Sequence, residues 1–78
     1  MRLRDLREDR DITQQELADY LNIHQSAYSH YEKGIRQPSI DTLIKLAYFY
    51  DTSIDYIVGI TDDPKPYPRR WSADRFVP

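Results

Sequence analysis

Two residues, Asn22 and Ile23, are all that separates one amphipathic segment from the next. Upstream, Thr13 to Leu21 (TQQELADYL) opens with Thr13 followed three residues later by Glu16, the pairing in which each side chain takes an orphan backbone N–H of the other residue. Leu17, Ala18 and Leu21 then line up as an apolar stripe. Downstream, His24 to Lys33 (HQSAYSHYEK) turns at about 100° per residue, so Ala27, Tyr28 and Tyr31 share one side while Ser26, Ser29, His30 and Lys33 share the other. A joint this short, with Asn22 where the backbone must go left-handed, makes two helices cross steeply. The chain is committed to a helix, a tight turn and a second helix, and its other segments read as support for the second one.

The outer face of that second helix is unusual. A face that meets only water is commonly filled by Glu, Lys and Gln, which are strong helix formers. Ser, Ser, His and Lys instead offer short donors and acceptors with one or two longer groups, which suits a helix pressed against a second surface such as a DNA groove. An ordinary amphipathic helix is the plain alternative for this segment taken alone.

With 78 residues and no cysteine, the core must come from helix packing, because neither disulfides nor thiolate metal sites are available. The opening MRLRDLRED has no apolar run, and nowhere do about 18 apolar residues follow one another, so a soluble cytoplasmic protein without a membrane partner is expected. Residues 1–60 hold seven basic and ten acidic side chains, and residues 61–78 hold four and three, a balance that argues against indiscriminate polyanion binding. Placement matters more than the total. Between Asn22 and Ile40 the single carboxylate is Glu32, against Lys33, Arg36 and two histidines, so this edge is locally basic on an acidic body.

The remaining helices follow from the same signals. Arg2 to Arg10 reads as a first helix, with Leu3 and Leu6 turned inward and Arg7 and Arg10 continuing that stripe. Gly34 suits a helix end and Pro38 sets up a new start at Ser39. Ile40 to Tyr50 is apolar over most of its circumference through Leu43, Ile44, Leu46, Ala47 and Tyr50, leaving Asp41, Thr42 and Lys45 as a wet strip; it is the expected central helix. Ser53 opens a short fifth helix, Ile54 to Val58, ending at Gly59, with Ile54, Ile57 and Val58 closing the core. From Thr61 onward the composition changes, since four of the five prolines lie there and no helix survives that spacing. This tail is either a solvated linker or, given Trp71 and Phe76, a segment resting on its own domain or on a neighbour.

The TQQELA at Thr13, the Ser-x-x-Glu-x-Gly of Ser29, Glu32 and Gly34, then Pro38, then LIKLA ending at Ala47, fall together at a spacing that resembles the XRE family of phage-repressor-like and bacterial DNA-binding domains. The resemblance spans roughly residues 2 to 60 and commonly has Gly at Asp11, Asn22 and Asp51, where this chain has the residues that best tolerate a left-handed backbone. It implies an all-α, compact five-helix lambda-repressor-like domain over residues 1–60 containing the helix-turn-helix, with a Pro-rich tail over 61–78. It further implies a sequence-specific transcriptional regulator in a bacterial or phage cytoplasm, its partners double-stranded DNA and a second copy of itself, acting without cofactor as a repressor that occludes a promoter at a pseudo-palindromic operator.

The same resemblance suggests roles for individual residues. Gln25, Ser26, Ser29 and His30 match base-reading positions, and Gln25 is the strongest because its amide can pair bidentately with adenine. Gln14 matches a phosphate contact at a helix N-terminus, where free N–H groups and the dipole favour an anion; a solvated first-turn residue is the alternative. His24 either caps the third helix or touches phosphate, and Lys33, Arg36 and Gln37 resemble a phosphate-clamping loop. Arg7 and Glu32 match an ion pair joining the first helix to the end of the third. If the second and third helices face DNA and the fourth is buried, Ile54, Tyr56, Ile60 and Trp71 are left to form a dimer surface.

Catalysis finds no support, since there is no glycine-rich phosphate loop, no cysteine and no clustered His and carboxylate set. His24 and His30 lie about 240° apart around a helix and cannot share a metal. The competing expectation is a protein-interaction module: the same domain binding a toxin, an anti-repressor or another effector, as an antitoxin or part of a phage-like switch.

Overall fold

Capping chemistry sets where the helices begin and end. The structure, a computed structural model, describes residues 1–68, and over them five helices follow in order: α1 (Leu3–Asp9), α2 (Gln14–Leu21), α3 (Gln25–Lys33), α4 (Ile40–Tyr50) and α5 (Ile54–Val58). At the start of α2, Glu16 N donates to Thr13 Oγ1 at 3.1 Å and Thr13 N donates to Glu16 Oε1 at 3.5 Å, the reciprocal box. Ser39 Oγ accepts from Thr42 N at 3.2 Å to open α4, and Ser53 Oγ accepts from Tyr56 N at 3.0 Å to open α5. Asp11, Asn22 and Asp51 all take positive φ, at 54°, 58° and 51°. Their short polar side chains make that conformation tolerable without glycine. Each of these ends is then closed by a backbone bond reaching back over the last turn, Ile12 N to Arg7 O, Ile23 N to Ala18 O and Thr52 N to Ala47 O.

The sequence expectation for α1 ran from Arg2 to Arg10, whereas both arginines stand as its caps: Arg2 N donates to Ile57 O at 2.8 Å, outside the helix, and Arg10 N closes the last turn on Arg7 O at 3.2 Å, while their side chains reach carbonyls elsewhere. Arg2 Nη1 donates to Tyr56 O at 2.6 Å, and Arg10 Nη2 donates to Tyr50 O at 3.1 Å. Thr13 and His24 likewise stand just outside their helices as cap residues.

Leu3, Leu17, Ala18, Leu21, Tyr28, Leu43, Leu46, Ala47, Tyr50 and Ile57 are buried, so every helix contributes to one core. Leu6, Ile12, Ile23, Tyr31, Phe49, Ile54 and Val58 pack around it. The most extensive helix pairings are α2 with α3 and α4 with α5. Removing this apolar surface from water supplies the main stabilising term, about 25 cal/mol per Å² buried. Ala27, on the inward side of α3, is only half-buried. On α4, Ile40 stands 67% exposed at the open first turn, so that helix is less enclosed than its apolar composition suggests.

Residues 61–68 are not helical but run back along the domain. Arg2 Nη1 donates to Thr61 O at 2.9 Å, Thr52 Oγ1 to Pro64 O at 2.6 Å, and Tyr67 OH to Asp55 Oδ2 at 2.7 Å. The described part of the tail therefore rests on its own domain.

Candidate nucleic-acid interface

The short turn through Asn22 and Ile23 brings the first residues of α2 and α3 within reach of one another. Gln25 Nε2 donates to Gln14 Oε1 at 2.6 Å, across the turn, and Gln14 Nε2 donates to Glu32 Oε1 at 3.0 Å. Arg7 completes the chain, with Nε donating to Glu32 Oε2 at 2.6 Å and Nη2 to Oε1 at 3.1 Å. Its Nη1 donates to Ile12 O at 2.9 Å, which holds the loop before α2. Three helices are thus bolted together around one carboxylate, and the Glu32 side chain is 1% exposed.

Burial on its own would push the Glu32 carboxyl up, but the hydrogen bonds from Arg7 and Gln14 outweigh it, and the group sits below the ordinary glutamate range. The Tyr28 hydroxyl beside it adds to this lowering, although it lies outside hydrogen-bond geometry and has no partner of its own. Burial, and then this carboxylate, raise the Tyr28 hydroxyl in turn. Tyr50, the other buried hydroxyl without a partner, is pushed up to about 12, chiefly by burial.

The outer face of α3 is open. Gln25 and Ser26 are exposed, while Ser29 and His30 are half-buried on the same side. Lys33, Arg36 and Gln37 are exposed around the end of α3. Among the described residues the side chains of Ser26, Ser29, His30, Lys33, Arg36 and Gln37 spend no hydrogen bond or ion pair on the protein. His24 occupies the α3 cap position with extended backbone, but its ring makes no cap bond, so the capping role considered from sequence is absent. No acid lies in the first turn of α3 either. Its leading N–H groups consequently meet no side-chain acceptor, and the positive end of the helix faces outward.

Other candidates fall elsewhere. Gln14 is half-buried with its amide turned inward, leaving one Nε2 hydrogen and the backbone N–H groups of Gln14 and Gln15 for an external anion, since Glu16 N is taken by Thr13. Of the proposed dimer surface, Ile54 packs against the core and Tyr56 is half-buried with the Arg2 guanidinium 4.3 Å above its ring, so neither is a free apolar group. Ile60 is 74% exposed, and Trp71 lies outside the described residues. Sequence reasoning missed the Gln14–Gln25 bond, and it left Arg4 unplaced. Arg4 Nε lies 3.9 Å from Glu32 Oε1 with the side chain largely exposed, so it is a cation beside the bolt. Its spacing of three residues from Arg7 was the available signal.

Among the described residues no group of His, Cys, Asp or Glu is placed to hold a metal, and no helix is long and apolar enough to cross a membrane. A helix-turn-helix family model matches residues 3–57. The chain is 42% identical over 76 residues to the uncharacterized HTH-type transcriptional regulator YobD of Bacillus subtilis, covering 97% of this chain and 68% of that protein. It is 43% identical over 58 residues to the HTH-type transcriptional regulator ImmR of the same organism, covering 74% and 46%. With the cryptic phage CTXphi transcriptional repressor RstR of Vibrio cholerae it shares 40% over 58 residues, covering 74% and 52%. The chain therefore spans about half the length of the last two relatives and about two thirds of the first. No solved structure gives a significant match. By this match over most of its length, the chain belongs to the XRE-type helix-turn-helix family of DNA-binding regulators.

Proposed function

We propose that the chain reads a specific DNA sequence through α3 and acts as a transcriptional repressor by occluding a promoter. Gln25, Ser26, Ser29 and His30 face base edges in the major groove, while Gln14, His24, Lys33, Arg36 and Gln37 grip the flanking phosphates. The observation that carries this reading is the open outer face of α3: polar side chains of which, among Gln25, Ser26, Ser29 and His30, Gln25 alone has an internal partner, beside an uncapped helix start. RstR, named as a repressor, gives the sign of regulation its support.

One copy grips weakly, since Lys33 and Arg36 are the main free cations at this edge and each neutralised phosphate contributes only about −0.9 to the log–log salt slope. A symmetric pair doubles the grip and calls for a pseudo-palindrome with half-sites about 10 to 10.5 base pairs apart. Its contact centres on Ile60 and Tyr67, 74% and 61% exposed and both tied to Asp55.

The test begins with selection of bound duplexes from a random-sequence library, followed by titration of single-base variants of the recovered site. Gln25→Ala is expected to relax preference at one position of each half-site, whereas Arg36→Ala weakens every duplex about equally. Inserting about five base pairs between half-sites should abolish tight binding. Uniform losses for Gln25→Ala would refute base reading, and indifference to spacing would refute the dimer.

A further inference from the structure

A carboxylate can only accept hydrogen bonds, and this one fact propagates outward from Glu32. Gln14 has to turn its Nε2 toward Glu32 Oε1, 3.0 Å away, which points Gln14 Oε1 at α3. That oxygen in turn can be met only by a donor, and Gln25 Nε2 supplies it at 2.6 Å. Turning the Gln25 amide over would set two carbonyl oxygens against each other. A glutamine in water has no such constraint, because its two flips are nearly equivalent.

We infer that Glu32 is a specificity-determining positioning residue: through Gln14 it fixes the amide polarity of Gln25, and so which base edge Gln25 accepts. This rests on the reading of Gln25 as a base contact. With Nε2 held on the α2 side, one N–H is spent on Gln14, leaving the second N–H and Oε1 side by side for a ligand. Adenine presents N7, an acceptor, beside N6, a donor, and matches that order. Guanine presents N7 beside O6, two acceptors, so Oε1 would face O6 without a proton between them. An amide free to flip could instead donate to guanine O6 or thymine O4, and the discrimination would shrink.

Arg7 belongs to the same device. It keeps the carboxylate paired in a site where the side chain is 1% exposed, and only the ionised form is a pure acceptor. A carboxamide at this position can donate or accept, and would leave the polarity of Gln14 unset.

The test uses the full chain and the duplex recovered from the random library, with all four bases placed at the position whose preference Gln25→Ala removes. Two variants are compared there. Gln14→Met breaks the relay while leaving Arg7 and Glu32 paired, and Glu32→Gln alters the carboxylate itself. Thermal melts establish that each is folded at the binding temperature, and Gln14→Met serves alone if Glu32→Gln does not fold. Both should cut the adenine-over-guanine affinity ratio about fivefold, the value of one ordinary hydrogen bond, while ratios at other positions hold. A ratio unchanged in both variants, or equal losses on every base, overturns the relay. Relaxation by Gln14→Met but not by a folded Glu32→Gln assigns polarity to Gln14 and overturns the role of Glu32. If Gln25→Ala shifts no position, the reading of Gln25 falls and the inference falls with it.

Discussion

α3 and α4 are short helices of similar length held in place by opposite means. α4 opens on the Ser39 cap, carries Asp41 in its first turn and buries Leu43, Leu46, Ala47 and Tyr50. Burial and capping suffice to hold it. α3 has no side-chain cap, no acid in its first turn and a single fully buried residue, Tyr28. It is secured instead from its far end, where Glu32 meets Arg7 and Gln14. A helix that must offer its leading N–H groups and a polar face to a partner cannot also spend them on its own stability. Stability at α3 is therefore delegated to a buried polar bolt, and stability at α4 to apolar packing.

The largest expected effect breaks the bolt. Arg7→Ala takes the two-point partner from a carboxylate that is 1% exposed and leaves it to Gln14 and the more distant Arg4, which should cost about 3 kcal/mol. In a domain this small that lowers Tm by more than about 10 °C. Ser39→Ala, the matching lesion on α4, removes one cap and should cost only about 1 kcal/mol. Thermal melts compare the two, and DNA titration at low temperature should show a specific loss for Arg7→Ala alone. Equal melting losses would erase the distinction between the helices.

Acid should loosen the bolt reversibly. The Glu32 carboxyl lies below its ordinary value of 4.5 in the folded protein, so its contribution is complete at higher pH. Below about 4.5 the unfolded chain takes up a proton that the folded chain resists, and stability declines until the folded carboxyl also titrates. Melts of wild type and Glu32→Gln across this range should converge as pH falls. A gap independent of pH would mean that the charge of Glu32 contributes nothing.

The smallest effect sharpens the contrast in the other direction. His24→Asp supplies the cap that α3 lacks and should stabilise the domain by about 0.5 kcal/mol. It should also weaken binding to every duplex, because the new carboxylate occupies the helix start and repels phosphate. Melting and titration of the same variant test both halves; tighter binding would show that the open helix start has no part in the interface.

Sequence alone reached the helices whose ends are written locally. The bounds of α4 and α5 follow from Ser39, Asp51, Ser53 and Gly59, since a hydroxyl at one end and a left-handed residue at the other are chemical instructions to the backbone. Arg2 and Arg10 bounded the α1 expectation through the stripe of Leu3, Leu6, Arg7 and Arg10, a pattern that does not carry the carbonyls both side chains reach from more than thirty residues away. The Gln14–Gln25 contact depends on the angle between two helices, which a linear pattern does not carry. Tyr56 has the look of a surface aromatic until the Arg2 guanidinium is placed over its ring. The course of residues 61–68 was equally hidden, because proline content excludes helix without saying where Pro64 O will find Thr52.

The central claim is that α3 presents its free polar face to DNA while the rest of the bundle only supports it. Amide chemical-shift changes on titrating the selected duplex into labelled protein test this most directly. The account predicts the largest changes at Gln14, Gln25, Ser26, Ser29, His30, Lys33, Arg36 and Gln37, with the buried face of α4 almost unmoved. Changes centred on residues 61–68 and α5 with α3 silent, or no saturable change with any duplex, would contradict it.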